Sequence, residues 1–164
     1  MNKRLYVEAC LEESILKVLK ELKIFKDFTI TELEYLESKM EYRELTPDTR
    51  IFTEGDMGSE FFVILKGSVV VYKKDAGSKE HELSRLVSGD SFGEMALIDK
   101  LPRSASVSTI DRTQLGILTQ EAFQEIKKEN LEIYAHILLN LAREFSSRLR
   151  SMDTKYIKVI DFFF

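Results

Sequence analysis

All seven glycines of this chain, Gly55, Gly58, Gly67, Gly77, Gly89, Gly93 and Gly116, lie between positions 55 and 116. Both prolines, Pro47 and Pro102, fall in nearly the same window. Glycine and proline punctuate turns and weaken helix interiors. A turn-rich middle therefore sits between two glycine-free flanks that are free to be helical. The 164 residues suffice for one domain with a substantial buried core.

The flanks carry helical periodicity. Over about 8–22, Leu11, Ile15, Val18, Leu19 and Leu22 share one face. Thr29 with Glu32 three residues on is a capping box, and Leu33, Leu36 and Met40 extend its apolar face. The middle carries strand patterns. Ile51–Phe52, Phe61–Leu65, Ser68–Lys73, His81–Val87, Ser104–Ile110 and Gln114–Leu118 are short, apolar or β-branched, and separated by turn residues. This spacing predicts an α+β chain whose β-roll over 42–118 is an antiparallel jelly-roll β-barrel or sandwich. A helical segment over 1–41 precedes it, and two helices over 119–164 follow. Thr119 caps the first of these, which runs to about Lys128, and Asn130 caps a much longer one.

Along that longer helix, Leu131, Ala135, Leu138, Ala142, Phe145, Leu149, Met152, Tyr156, Val159 and Phe163 alternate by four and three. A sustained 4-3 repeat is the seam of a left-handed coiled coil. With Ala142, Leu149 and Tyr156 at a, Arg148 falls at g and Asp153 at the next e, where the two can pair across a parallel dimer. The first half is expected to pack on its own β-roll. A single β-roll is too small to cover about 50 Å of helix, so the second half is expected to form a homodimer, the alternative being one amphipathic helix that folds back on its own β-roll throughout.

Composition excludes several functions. The 24 basic and 28 acidic residues give a net charge of −4, against the basic face that non-specific nucleic-acid binding needs. Cys10 alone cannot build a disulfide framework, so a reducing, cytoplasmic setting is expected. His81 and His136 have no partners at ligand spacing, so no metal site is expected. The longest apolar run, Phe61–Leu65, is too short to span a membrane. Glu8, Glu12 and Glu13 interrupt any signal-peptide core after the start.

The stretch Phe92-Gly93-Glu94-Met95-Ala96-Leu97-Ile98-Asp99-Lys100-Leu101-Pro102-Arg103-Ser104-Ala105-Ser106-Val107 carries the chemistry. Gly93 permits close backbone approach, and Met95–Asp99 can form one helical turn with free N–H groups. Arg103 offers a fork for phosphate oxygens. Glu94, displaced toward a sugar, can accept a hydroxyl hydrogen bond, as acids do for ribose. Together these describe a nucleotide with a single phosphate charge. A structural Glu94–Arg103 ion pair is the alternative on spacing alone.

This stretch resembles the phosphate-binding cassette of cyclic-nucleotide-binding domains, of the catabolite activator and kinase regulatory-subunit type. Phe92-Gly93-Glu94-x-Ala96-Leu97 and Arg103-Ser104-Ala105-x-Val107 satisfy its pattern. A second signature also fits: Ile51-Phe52, Gly55-Asp56-Met57-Gly58, Phe61-Phe62-Val63-Ile64 and Gly67. The resemblance covers about residues 25–150 and includes the order of elements, ending in a hinge helix and a C-terminal lid helix. It implies that Glu94 accepts from the ribose 2′-OH and that Arg103 holds the cyclic phosphate. Backbone N–H groups around Gly93, Met95 and Ala96 add to the phosphate contacts. Ser104, beside Ala105, is placed near phosphate or purine. Val69 and Val71 line the base side, and Arg148 reaches the base from the C-terminal helix. For Arg148 the alternatives are the pair with Asp153 or plain solvation.

The resulting expectation is a non-catalytic cAMP sensor, with cGMP as the alternative ligand, that closes its C-terminal helix and signals to a protein partner. Ser104 does not discriminate between the two nucleotides. Alternatives are a cAMP-responsive transcription regulator lacking its DNA-binding module, since no room for one remains before Phe164, or a dimerisation module that binds nothing. An enzyme is disfavoured: a phosphodiesterase needs a His- and Asp-rich metal cluster, and Glu94 with Arg103 is no nucleophile–base pair.

Overall fold

The structure is a computed structural model that describes residues 15–99 and 101–163. Beyond Arg150 it describes the side chains of Met152 and Ile157. Cys10, the early part of the first expected helix, and the side chains of Asp153, Tyr156, Val159 and the terminal phenylalanines lie outside the described residues.

Helix α1 occupies 15–21 and is followed by a 3₁₀ turn at Lys23–Phe25. Helix α2 spans Ile30–Ser38, and its start forms as the sequence dictates. The Thr29 side chain accepts from the Glu32 N–H while the Glu32 carboxylate accepts from the Thr29 N–H. Eight strands follow: β1 Glu41–Leu45, β2 Arg50–Phe52, β3 Glu60–Lys66, β4 Ser68–Lys74, β5 Glu80–Val87, β6 Ser91–Phe92, β7 Ser106–Thr109 and β8 Thr113–Thr119. Helix α3 spans Gln120–Glu129 behind its Thr119 cap. Helix α4 runs Leu131–Phe163, with the Asn130 side chain accepting from the Ile133 N–H.

The strands form two four-stranded sheets, ordered β1-β8-β3-β6 and β2-β7-β4-β5, with antiparallel pairing throughout. They pack as a sandwich and do not close into the expected barrel. The unbroken apolar run of β3 serves both faces of its sheet, because side chains alternate along a strand. Phe61 and Val63 face the helices, in a core with Leu19, Phe25, Leu33, Phe123, Ile133, Ile137 and Leu141. Phe62 and Ile64 face the second sheet, in a core with Val69, Phe92, Val107, Leu115 and Ile117.

Three strands differ from expectation, one of them the two-residue β6, too short to show a pattern. β1 reads Glu-Tyr-Arg-Glu-Leu and is largely exposed, so its pattern shows no buried face. β7 starts at Ser106 rather than Ser104, because residues 103–105 line a cavity instead of joining the ladder. In α4, the stripe that reaches the core is Ile133, Ile137 and Leu141. Of the 4-3 seam, Leu138 and Phe145 pack partly against that core, whereas Leu131, Leu149 and Met152 are exposed.

Candidate functional site

Gly93 ends β6 in the left-handed region at φ 77°, where a side chain would be strained. A Cβ there would lie 2.8 Å from Arg103 Nη1 and 3.0 Å from the Glu60 carbonyl oxygen. The chain then forms a 3₁₀ turn over Glu94–Leu97 in place of the expected turn over Met95–Asp99. The Ala96 N–H is used inside this turn, donating to the Gly93 carbonyl at 3.1 Å.

Arg103 is brought back beside Gly93 by the β2–β3 turn. Its backbone N–H donates to the Asp56 carbonyl at 2.8 Å, and its carbonyl accepts from the Gly55 N–H at 2.9 Å. Arg103 is only 8% exposed. Its guanidinium lies 4.2 Å over the Phe52 ring, a cation–π contact. Its Nη2 donates to the Glu60 carbonyl at 2.9 Å, and the buried Nε has no partner. Burial lowers its pKa from the ordinary value, against the pull of Glu60, Asp56 and Glu94, yet an arginine stays charged. A buried cation with an unused donor and no carboxylate bonded to it favours an anion at that point.

Glu94 is 7% exposed and does not pair with Arg103. Its carboxylate accepts instead from Arg148 Nη1 of α4, whose Nη2 donates to Glu144 at 2.7 Å. Burial works against the Arg148 charge, but Glu94 and Glu144 more than offset it and hold its pKa above the ordinary value. The sequence reading missed this pair, because no local pattern links residues 54 positions apart.

Ten of the eleven residues singled out in the sequence line one cavity of about 320 Å³: Val71, Phe92, Gly93, Glu94, Met95, Ala96, Arg103, Ser104, Ala105 and Arg148. That volume suits a small ligand. Val69 does not line it, lying deeper between the sheets. Phe92 contributes while its ring stacks on Phe62 at 4.9 Å. Phe52, Ser84, Leu86 and Leu101 also line it and were not foreseen. Phe52 and Leu101 had a signal, standing in the second signature and in the Phe92–Val107 stretch without an assigned role. The cavity thus carries the buried Arg103 guanidinium and the Glu94–Arg148 pair among apolar lining residues such as Val71, Leu86 and Val107. Among the described residues, no group of three His, Cys, Asp or Glu could hold a metal ion. No described helix is long and apolar enough to cross a membrane.

A buried arginine with no carboxylate bonded to it, beside a left-handed glycine and sharing a β-sandwich cavity with a glutamate, suits a small anionic ligand. The chain belongs to the cyclic nucleotide-binding domain family, whose model matches residues 42–130. It is 35% identical over 112 residues to the cyclic AMP receptor protein of Thermus thermophilus, covering 68% of this chain and 50% of that one. It is 32% identical to the cAMP-dependent protein kinase regulatory subunit of Candida albicans, covering 80% of this chain and 26% of that one. The chain therefore spans half or less of these relatives' length. Among solved structures, the Thermus thermophilus catabolite activator protein superposes with TM-score 0.74 at 30% identity, covering 82% of this chain and 61% of that one. A cyclic nucleotide-binding domain from Methylobacillus flagellatus gives 0.76 at 30% identity, covering 85% and 78%.

Proposed function

We propose that this chain is a non-catalytic cAMP receptor domain that passes nucleotide binding to its C-terminal helix. The observation that carries the reading is Arg103, a buried guanidinium with an unused Nε and no carboxylate bonded to it. In this reading Arg103 holds the cyclic phosphate, with the N–H groups at Gly93 and Met95, the Ala96 N–H being taken up inside the turn, and Glu94 accepts from the ribose 2′-OH. The apolar wall at Val71 takes the purine, with Ser104 and Ala105 at the phosphate side. cAMP is preferred to cGMP because relatives are named for it and a solved Toxoplasma gondii kinase regulatory domain, 25% identical with TM-score 0.66 over 71% of this chain and 44% of that one, was crystallised with it.

A ligand shifts a conformational equilibrium only through unequal affinity for the two states. Arg148 supports α4 as the moving part, since it lines the cavity and bonds Glu94 from that helix. The expected units, 1–41, 42–118 and 119–164, then act as one cyclic-nucleotide-binding domain. The exposed Leu149 and Met152 support a homodimer through α4, and a further protein partner would read the same helix in the cytoplasm. Parallel equilibrium titrations with cAMP and cGMP test the reading. One site per chain with micromolar or tighter affinity for cAMP, weaker for cGMP, and no product formed supports it. Binding of neither, or turnover of cAMP, rejects it.

A further inference from the structure

Outside the cavity, on the exposed end of β4, Lys73 makes two contacts that the family motif does not require. Its Nζ donates to the Ser104 carbonyl at 2.6 Å and to Glu54 Oε1 at 2.9 Å. The other oxygen of Glu54 accepts from the Lys74 N–H at 3.0 Å, and the Glu54 N–H donates to the buried Ser106 Oγ at 2.9 Å. Glu54, whose pKa is held low by the Lys74 N–H and by Lys73, is therefore fixed at both ends. It anchors Lys73 over the segment that follows Arg103.

The Ser104 carbonyl belongs to the same peptide group as the Ala105 N–H. In a trans peptide the two point in opposite directions, and no cis peptide occurs here. A cation on the oxygen side therefore orients the N–H away from Lys73. It also polarises that N–H, because hydrogen bonds in series strengthen one another. Ser104 and Ala105 both line the cavity next to Arg103.

We propose that Lys73 is a positioning residue for the anion: held by Glu54, it fixes and polarises the Ser104–Ala105 peptide group as a phosphate donor beside Arg103. The inference rests on the reading of the cavity as a cyclic-nucleotide site. Lys73 does not touch the ligand itself. Its contribution comes through the peptide group and through a positive charge just behind it. The Lys73 side chain is half exposed, so solvent moderates the effect.

The test compares wild type, Lys73→Met, Lys73→Arg and Glu54→Gln by cAMP titration, with thermal melts and ¹H–¹⁵N amide spectra of the bound forms. Lys73→Met is expected to lose about three- to tenfold in affinity with little change in Tm. Its bound Ala105 amide proton should resonate upfield of wild type. Lys73→Arg should recover most of both, and Glu54→Gln should fall between. Unchanged affinity in Lys73→Met overturns the proposal, as does a loss accompanied by no Ala105 shift and no rescue by arginine. If wild type itself binds neither cAMP nor cGMP, the site reading fails along with the proposal. That result is distinct from failure of the lysine alone.

Discussion

Arg148 on the long helix and Glu94 at the start of the cassette, 54 residues apart in sequence, meet as an ion pair in the lining of one cavity. A carboxylate as buried as Glu94 is costly without a partner, and Arg148 supplies one while Glu144 orients it from one turn earlier. The group read as the ribose acceptor is thereby bonded to the element read as the output.

That geometry predicts coupling between the two residues. Glu94→Gln should weaken cAMP binding about 10- to 100-fold, the range for a hydrogen bond to a charged acceptor. Arg148→Met should weaken it by about tenfold or less. The double variant should lose less than the two single losses combined, by at least about 0.5 kcal/mol, because both act on one contact. Calorimetric titrations of all four proteins measure this, and strict additivity would contradict it.

A second prediction comes from Gly58. A Cβ built there would overlap Nε, Cζ and Cδ of Arg103. Its own backbone is not in the left-handed region, so alanine fits the chain but displaces the guanidinium. Gly58→Ala should lose at least about tenfold in cAMP affinity while Tm falls by only a few degrees. Parallel melts and titrations check it, and undiminished affinity would show that Arg103 does not hold the phosphate.

Much of this site was legible because its residues cluster in sequence. Gly93 and Glu94 with Arg103, and Gly55 through Gly67, hold their spacing whatever the remainder of the chain does. The caps at Thr29, Thr119 and Asn130 were legible for the same local reason. The pairing of sheets was not, since strand order β1-β8-β3-β6 joins segments far apart in sequence. β1 hid because its side chains are largely exposed. The Arg103 environment was also hidden: Phe52 beneath it and the Glu60 carbonyl beside it come from β2 and β3. In α4, apolar residues cover two stripes, so the 4-3 repeat drew attention to Leu149 and Met152 while Ile133, Ile137 and Leu141 meet the core.

The exposed stripe carries a third prediction. Leu149 and Met152 are 62% and 64% exposed, and on a dimer seam they would be covered. Sedimentation equilibrium at tens of micromolar protein should give a dimer for wild type. Leu149→Glu with Met152→Glu should give a monomer of unchanged helix content. A wild-type monomer, with or without cAMP, would contradict the dimer.

A fourth prediction concerns acid. The Thr29 N–H and hydroxyl both donate to Glu32 at 2.7 Å. The backbone bond first, and then the hydroxyl, hold the Glu32 carboxyl below its ordinary value of 4.5. Because the folded value is depressed, this stabilisation is complete above 4.5 and disappears as pH falls through the lower folded value. Glu32→Gln should therefore lower Tm at pH 7, with the gap from wild type closing as pH falls below 4.5 toward the lower folded value. Thr29→Ala should cost about 1 kcal/mol at neutral pH. Melts across pH 7 to 3 read both, and a gap that widens in acid would contradict the assigned role of the capping box.

The most direct measurement is a calorimetric cAMP titration of wild type and Arg103→Ala, run side by side with thermal melts. Removing a buried charge-assisted contact costs about 3–5 kcal/mol, a loss of at least about 100-fold in affinity. The account predicts one site per chain in wild type, and a folded Arg103→Ala protein that takes up no measurable cAMP at the same concentrations. Equal binding by a folded Arg103→Ala protein would contradict the assignment of this cavity.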